Sequence, residues 1–147
     1  MTKGNSFKIT TKFEGIENSR AIKVYKEHGG YAALKKALSM SPDSITKLVK
    51  DSGLRGRGGA GFSTGLKWSF VPKESTERYL ICNNDESEPG TFKDRYIVEL
   101  SPHMLIEGMI ISAYALKAKK GYIYTRCEFT EEISWLEKAI EEAYKEK

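Results

Sequence analysis

Long apolar stretches are missing from this chain of 147 residues. No run of about 18 apolar residues occurs, so no membrane-spanning helix is expected. Residues Met1–Thr11 are polar and mixed, without the apolar centre of a secretory signal. Cysteine is scarce: Cys82 and Cys127 show neither CxxC nor zinc spacing. A reducing, intracellular compartment is the expectation, with both thiols read as small apolar residues at strand ends. Histidine is scarce too. His28 and His103 stand alone, without the partners that acid–base catalysis needs, so both are read as structural or exposed. The net charge of +4 is too mild to favour anionic partners more than weakly. Internal repeats and low-complexity tracts are absent.

What is present reads as one domain or a piece of one, with 39% hydrophobic and 30% charged residues. Glycine is concentrated. Six of the 13 glycines lie in the 18 residues from Gly53 to Phe70. Each costs roughly 0.5–1 kcal/mol of backbone entropy relative to alanine in regular structure, so clustering them gains a core nothing. It lets a backbone turn with positive φ and approach a ligand closely. Arg55, Arg57 and Lys67 add positive charge, and Phe62, Trp68 and Phe70 add flat apolar surface. That combination suits a nucleotide.

Residues 1–28 read as an N-terminal arm, with a short strand at Phe7–Ile9 and an extended segment or lead-in at Arg20–Glu27. Apolar spacing predicts a helix over Tyr31–Met40. Ser41-Pro42 is a cap followed by proline at the first helical position. The helix Pro42–Ser52 then places Ile45, Leu48 and Val49 on one face, with Gly53 as its C′ residue. Trp68–Val71 leaves the glycine loop and Pro72–Arg78 forms a polar turn. Tyr79–Cys82 reads as a strand buried on both faces. A polar burst, Asn83–Gly90, ends it, and Thr91–Leu100 is mixed. Ser101-Pro102 repeats the cap signal before a helix with Leu105, Ile106, Met109, Ile110, Ala113 and Tyr114 on one face. Tyr122–Thr125 is a second strand, its tyrosines read as packing. The last helix opens at Phe129-Thr130, with an apolar stripe of Ile133, Leu136, Ile140 and Ala143. Lys117, Lys119 and Lys120 read as a solvated helix end. From Tyr79 the order strand, helix, strand, helix is that of a parallel βαβ unit. The fold class is α/β, Rossmann-like, with an N-terminal helical segment. Two strands do not make a stable sheet alone, so the sheet is expected to be completed by residues outside this chain.

Gly56-Arg57-Gly58-Gly59-Ala60-Gly61 fits G-x-G-x-x-G literally, but its context does not fit. A dinucleotide fingerprint follows a strand and has an acid about 20 residues on. Here a helix end precedes it and position 81 is Ile. The P-loop pattern fails as well, since Phe62 stands where lysine is needed. An irregular loop or an RGG-like nucleic-acid tract remains open, beside nucleotide binding through backbone N–H groups. The segment Asn83–Glu88 lies just past a strand end, where open α/β sheets bind ligands. Its asparagines suit the polar edge of a flavin or nicotinamide. A carboxylate there would lower a flavin's reduction potential by Coulomb repulsion. Asp85, Glu86 and Glu88 are also the residue types of a divalent-metal site, though no histidine accompanies them; no metal ligand is assigned.

Three blocks carry a resemblance: Ser52-Gly53-Leu54-Arg55-Gly56-Arg57-Gly58-Gly59-Ala60-Gly61-Phe62, then Thr64-Gly65-Leu66-Lys67-Trp68-Ser69-Phe70, then Asn83-Asn84-Asp85-Glu86-Ser87-Glu88-Pro89-Gly90. In register, they resemble the N-terminal part of the NADH-binding FMN flavoprotein subunit of respiratory complex I. Related subunits of NAD-linked hydrogenases and formate dehydrogenases share the blocks. Pro102-His103-x-x-Ile106-Glu107-Gly108 and Gly121-Tyr122-Ile123-Tyr124 extend the likeness over residues 29–147. Asn84 stands where the family usually has Ala, and Ser63 where it often has Pro.

The resemblance implies a noncovalent FMN that takes hydride from NADH, with electrons passed to iron–sulfur clusters. It implies that Gly56, Arg57, Gly58, Gly59, Ala60, Gly61, Phe62, Ser63, Thr64 and Gly65 hold FMN and NADH, chiefly through the backbone. Phe62 and Phe70 would stack on adenine, and Lys67 would lie near FMN. Asn83, Asp85 and Glu86 would contact the flavin, and Glu88 would face both reacting rings, as the one residue assigned to catalysis. The family's 4Fe-4S ligands lie in a later four-cysteine motif that this sequence does not contain. Partners implied are other peripheral-arm subunits, especially a 2Fe-2S thioredoxin-like one. A cytoplasmic site at the inner face of the bacterial membrane follows, with no membrane insertion and no nucleic acid. The alternatives are an inactive nucleotide-binding or assembly fragment, and a hydrogenase or formate dehydrogenase flavoprotein.

Overall fold

The computed structural model describes residues 8–146. The element order is α1 (Ile22–Glu27), α2 (Ala32–Leu38), α3 (Pro42–Asp51), α4 (Thr64–Ser69), β1 (Tyr79–Asn84), α5 (Lys93–Leu100), α6 (Pro102–Leu116), β2 (Lys120–Thr125) and α7 (Thr130–Lys145). β1 and β2 pair in one sheet. Lys119 N–H donates to the Arg78 carbonyl at one end, and Asn84 Nδ2 donates to Thr125 Oγ1 at the other. Both pairs are 41 residues apart, so the strands run parallel, as the βαβ reading expected.

The chain forms two compact units. One comprises the residues through Gly30, Asn84–Ile106 and 125 onward; the other comprises Tyr31–Asn83 and Glu107–Tyr124.

In the second unit, Ala37, Ile45 and Ala115 are the buried centre, with Met40, Val49, Trp68, Ile111 and Tyr114 packed on it. Ser41 caps α3 as expected: its Oγ accepts from Ser44 N–H at 3.2 Å, with Pro42 at the first turn. Gly53 closes α3 at φ +70°. Leu48 is exposed, so the α3 stripe is narrower than its periodicity suggested. α6 is apolar nearly all round, so periodicity could not choose its inner face. Ile111 and Ala115 face this core, and Ile110 is exposed. β1 is not buried on both faces. Tyr79 is 55% and Ile81 67% exposed, on the face that also carries the exposed Tyr122 and Tyr124. With the 41-residue register, these side chains cover one another only in part, Tyr79 and Tyr122 having centroids 6.3 Å apart.

In the first unit, Phe13, Tyr25, Val98, His103, Ile106, Leu136 and Ala139 are buried. α7 packs against α1 and α5, showing Leu136 of its expected stripe and the neighbouring Ala139 to the core. Several expectations are corrected here. Arg20–Glu27 contains the helix α1, whose first amide, Ile22 N–H, donates to Glu142 Oε2 at 2.9 Å. Thr91–Leu100 contains α5. Ser101 does not cap α6 with its hydroxyl: Oγ is buried without a hydrogen-bond partner among the described residues, and Met104 N–H bonds the Ser101 carbonyl. Ser101 also ends α5, its own N–H bonding the Ile97 carbonyl at 2.8 Å, so the tight helix–helix junction sets its backbone. Of the strand expected at Phe7–Ile9, Phe7 lies outside the described residues, and Lys8 and Ile9 belong to no strand. Cys127 lies two residues past β2 and is exposed, unlike the apolar role expected of it.

Candidate functional site

The glycine-rich stretch is an ordered loop closed by a short antiparallel ladder. Gly56 N–H donates to the Phe62 carbonyl (3.0 Å) and Thr64 N–H to the Leu54 carbonyl (2.9 Å), around a bridge between Arg55 and Ser63. Arg55 Nη1 donates to the Gly61 carbonyl at 3.2 Å, so its cation braces the loop from within. Thr64 then opens α4, a helix the glycine pattern concealed, with Ser63 Oγ accepting from Leu66 N–H at 3.4 Å.

The glycines serve different ends. Gly61, at φ +66°, needs the left-handed region. Gly65 is buried where α4 crosses α3, and a Cβ there would collide with the Lys50 backbone. Gly59 has neither reason. Its φ is not in the left-handed region, and a Cβ would meet no atom within 4 Å. Nothing among the described residues accounts for glycine at that position.

Arg57, Gly58, Gly59 and Ala60 lie exposed at the loop tip, and Lys67 is exposed on α4. Phe62 and Phe70 come together at the two ends of α4, centroids 6.2 Å apart at 50°. They remain 51% and 64% exposed. Two large adjacent rings left open to solvent are a ready platform for a flat ligand.

The segment after β1 continues the two-residue alternation of the strand. Asn84 and Glu86 are buried; Asn83, Ser87 and Glu88 are exposed and Asp85 is half-buried. Asn84 bonds Thr125 Oγ1 at 3.1 Å. Glu86 Oε1 accepts from the N–H groups of Lys93 (2.7 Å) and Asp94 (2.8 Å), and Oε2 from Arg95 N–H (3.1 Å). Its carboxylate thus caps α5, which lacks a local side-chain cap. Burial alone would raise the Glu86 pKa. The three amides, with Lys93, outweigh it, and the pKa lies below the ordinary carboxylate value. Ser87 Oγ donates to Asp85 Oδ1 at 2.7 Å.

Arg126, just past β2, touches the same segment. Nη1 donates to the Glu86 carbonyl at 3.0 Å. Nε and Nη2 fork onto Glu128 at 3.2 and 3.1 Å, and the guanidinium lies 5.4 Å from the Phe129 ring centroid. The Glu128 carboxyl is pulled down to about 2, chiefly by its hydrogen bond from Arg126. The Arg126 pKa is raised by that bond, with a further contribution from Asp85.

Residues 49–147 match the family model of the Nuo51 FMN-binding domain. The chain belongs to this family. It is 57% identical over 122 residues to a subunit of the NADH-quinone oxidoreductase of Escherichia coli, covering 81% of this chain and 27% of that protein. It is 58% identical over 125 residues to the corresponding protein of Aquifex aeolicus, covering 85% and 29%. Among solved structures, an NAD+-reducing [NiFe]-hydrogenase matches with a TM-score of 0.66 at 50% identity, over 69% of this chain and 18% of that one. The chain thus spans less than a third of the length of these curated relatives. The sequence resemblance to the flavoprotein subunit of complex I is borne out, for its N-terminal part.

In this Nuo51-type chain, sequence reasoning missed Arg126 and the capping role of Glu86. The position of Arg126, directly past a second parallel strand end, was the available signal. A cavity of about 430 Å³ in the second unit lies elsewhere, lined by Lys47, Lys50, Trp68, Lys73, Arg78 and Lys117 among others. It includes Trp68 but none of the residues that the family resemblance assigned to FMN or NADH. No helix among the described residues is long and apolar enough to cross a membrane.

Proposed function

We propose that this chain contributes to an FMN- and NADH-binding flavoprotein of the complex I type. Gly59 carries the reading. A Cβ at Gly59 would meet no atom within 4 Å, so the open backbone there admits close approach of a ligand. The exposed tip Arg57–Ala60, with Gly56 and Gly61 at its base, offers backbone and a cation to phosphates. Family membership supports FMN as the flavin, and the names of the relatives support NADH. The residues present fit these groups: open backbone for phosphate, paired rings at Phe62 and Phe70 for adenine, and exposed polar side chains at Asn83 and Glu88.

Phe62 and Phe70 would hold the adenine end of NADH, and Lys67 would attract the anionic part of FMN. Ser63, Thr64 and Gly65 fix the loop onto α4. Asn83 and Asp85 would meet the polar edge of the flavin, and Glu88 would lie beside the reacting rings, where its charge disfavours added negative charge. When bound, FMN supplies two-electron acceptance from NADH and one-electron release. The protein's part is orientation, and no side chain need transfer a proton. Electrons would leave to iron–sulfur clusters held by other parts of the assembly, beginning with a thioredoxin-like partner that carries a 2Fe-2S cluster. Quinone is the terminal acceptor on this reading, at a peripheral position on the inner face of the bacterial membrane. The likeness to a hydrogenase favours a second reading, in which the same flavin site serves hydrogen-dependent NAD+ reduction.

Titration of FMN with the purified chain, followed by quenching of flavin fluorescence, tests the reading. Quenching that saturates as the chain is added is expected. Flavin fluorescence unchanged at high protein concentration sinks it.

A further inference from the structure

The buried and exposed residues of the segment after β1 divide the work of a site between them. Asn84 and Glu86 point inward and are fully engaged; Asn83 and Glu88 are exposed, and Asp85 is half-buried. Glu86 is held at two chemically different points. Its carboxylate is spent on the first three amides of α5, and its carbonyl accepts from Arg126. Arg126 is itself fixed by the Glu128 fork and by the face of Phe129. Thr125, the neighbour of Arg126, holds Asn84. One short stretch at the end of β2 therefore grips the segment at both inward residues.

We propose that Glu86 and Arg126 are positioning residues, which fasten the segment so that Asp85 and Glu88 are presented to the flavin cofactor. The proposal rests on the functional reading above. It departs from what the family resemblance implied in giving the Glu86 carboxylate to α5 rather than to the cofactor, and it adds Arg126. Charge-assisted hydrogen bonds to backbone groups are individually strong. They restrain the segment before any ligand arrives, which lowers the ordering cost of binding.

The test uses the chain with E86A, E86Q, R126Q and R126K, each checked for folding by its thermal transition. Amide hydrogen exchange is measured without ligand, and FMN affinity by fluorescence titration. E86A is expected to speed exchange at Lys93, Asp94 and Arg95, and R126Q to speed it across residues 85–88. Both should weaken FMN binding by about tenfold, the scale of losing one charge-assisted bond. R126K keeps a donor and a charge, and should restore most of the affinity, a rescue that general destabilisation does not predict. E86Q retains one acceptor oxygen and should fall between wild type and E86A, which keeps the test valid if E86A does not fold. Unchanged exchange in E86A, E86Q and R126Q overturns the fastening. Faster exchange with unchanged FMN affinity overturns the link to the cofactor. A wild-type chain that takes up no FMN, while its Lys93–Arg95 amides stay protected, overturns the functional reading and this proposal with it, and is told apart from the other two by that protection.

Discussion

His103, fully buried at the start of α6, donates from Nε2 to the Glu142 carboxylate on α7 at 3.1 Å. The donor assignment follows from the partner, because an ionised carboxylate can only accept. Tyr25 stacks on the imidazole at 5.8 Å and 28°. Burial pushes the His103 pKa below its ordinary value, and Glu142 offsets this only in part. Burial also acts to raise the Glu142 pKa, but Ile22 N–H and His103 together bring it below the usual range. Both shifts have the same consequence. The unfolded chain binds more protons than the folded one below the ordinary histidine pKa, and again below the ordinary carboxylate pKa. Stability is therefore expected to fall as pH drops below about 6.5, and further below about 4.5. Thermal melting against pH checks this. In H103Q the first fall should disappear while the second persists; a H103Q profile as steep as wild type over the first range would refute the assignment.

Glu107 acts in the same manner on another helix. Its two oxygens accept from Tyr31 N–H and Leu34 N–H, each at 2.9 Å, at the start of α2. No local side chain caps that helix, and Tyr31 sits in the left-handed region. E107A removes both acceptors and should cost about 1–3 kcal/mol, the scale of orphaned partly buried donors. Urea unfolding measures it. A change within experimental error would mean that water replaces the carboxylate at no cost.

Gly65 is a packing glycine. G65A forces a methyl against the Lys50 backbone, so α3 and α4 must separate. Overpacking of this kind costs about 1–3 kcal/mol. The transition midpoint should drop, and a stable G65A chain with unchanged midpoint contradicts the close crossing.

Gly108 presents the opposite case. It lies inside α6, with open space where a Cβ would be added. G108A should raise stability by about 1 kcal/mol through helix propensity alone. Destabilisation in the chain by itself would show a contact at that face.

Phe62 and Phe70 are exposed, so F62A and F70A should alter stability by less than about 0.5 kcal/mol. On the proposed function each should weaken NADH binding several-fold, since an aromatic pair contributes about 0.5–1.5 kcal/mol. Titration with NADH reads this directly. Equal affinity in all three proteins removes the rings from the adenine site.

Elements with local signals were legible in the sequence. α3 carries its cap at Ser41, its proline at Pro42 and its stop at Gly53, all within one stretch. α7 shows acids in its first turn and a regular stripe. The candidate site was legible as two blocks of residues, because glycine density and a polar run past a strand are local patterns. The pairing of Phe62 with Phe70 was anticipated as a shared platform, although the helix α4 between them was not.

What the sequence by itself determined is the family and the βαβ order, since each is written in contiguous blocks or in periodicity. What only the tertiary structure decided is which side chains hold those blocks in place. α1, α2 and α5 lack local side-chain caps. Their first amides are met by Glu142, Glu107 and Glu86, the first two more than 70 residues away in the chain. A helix end leaves donors that must be satisfied, but nothing in a linear pattern says which distant carboxylate will reach them. Arg126 and Glu86 belong to that class: ordinary charged residues in the sequence, and fixed points of the candidate site once the chain has folded.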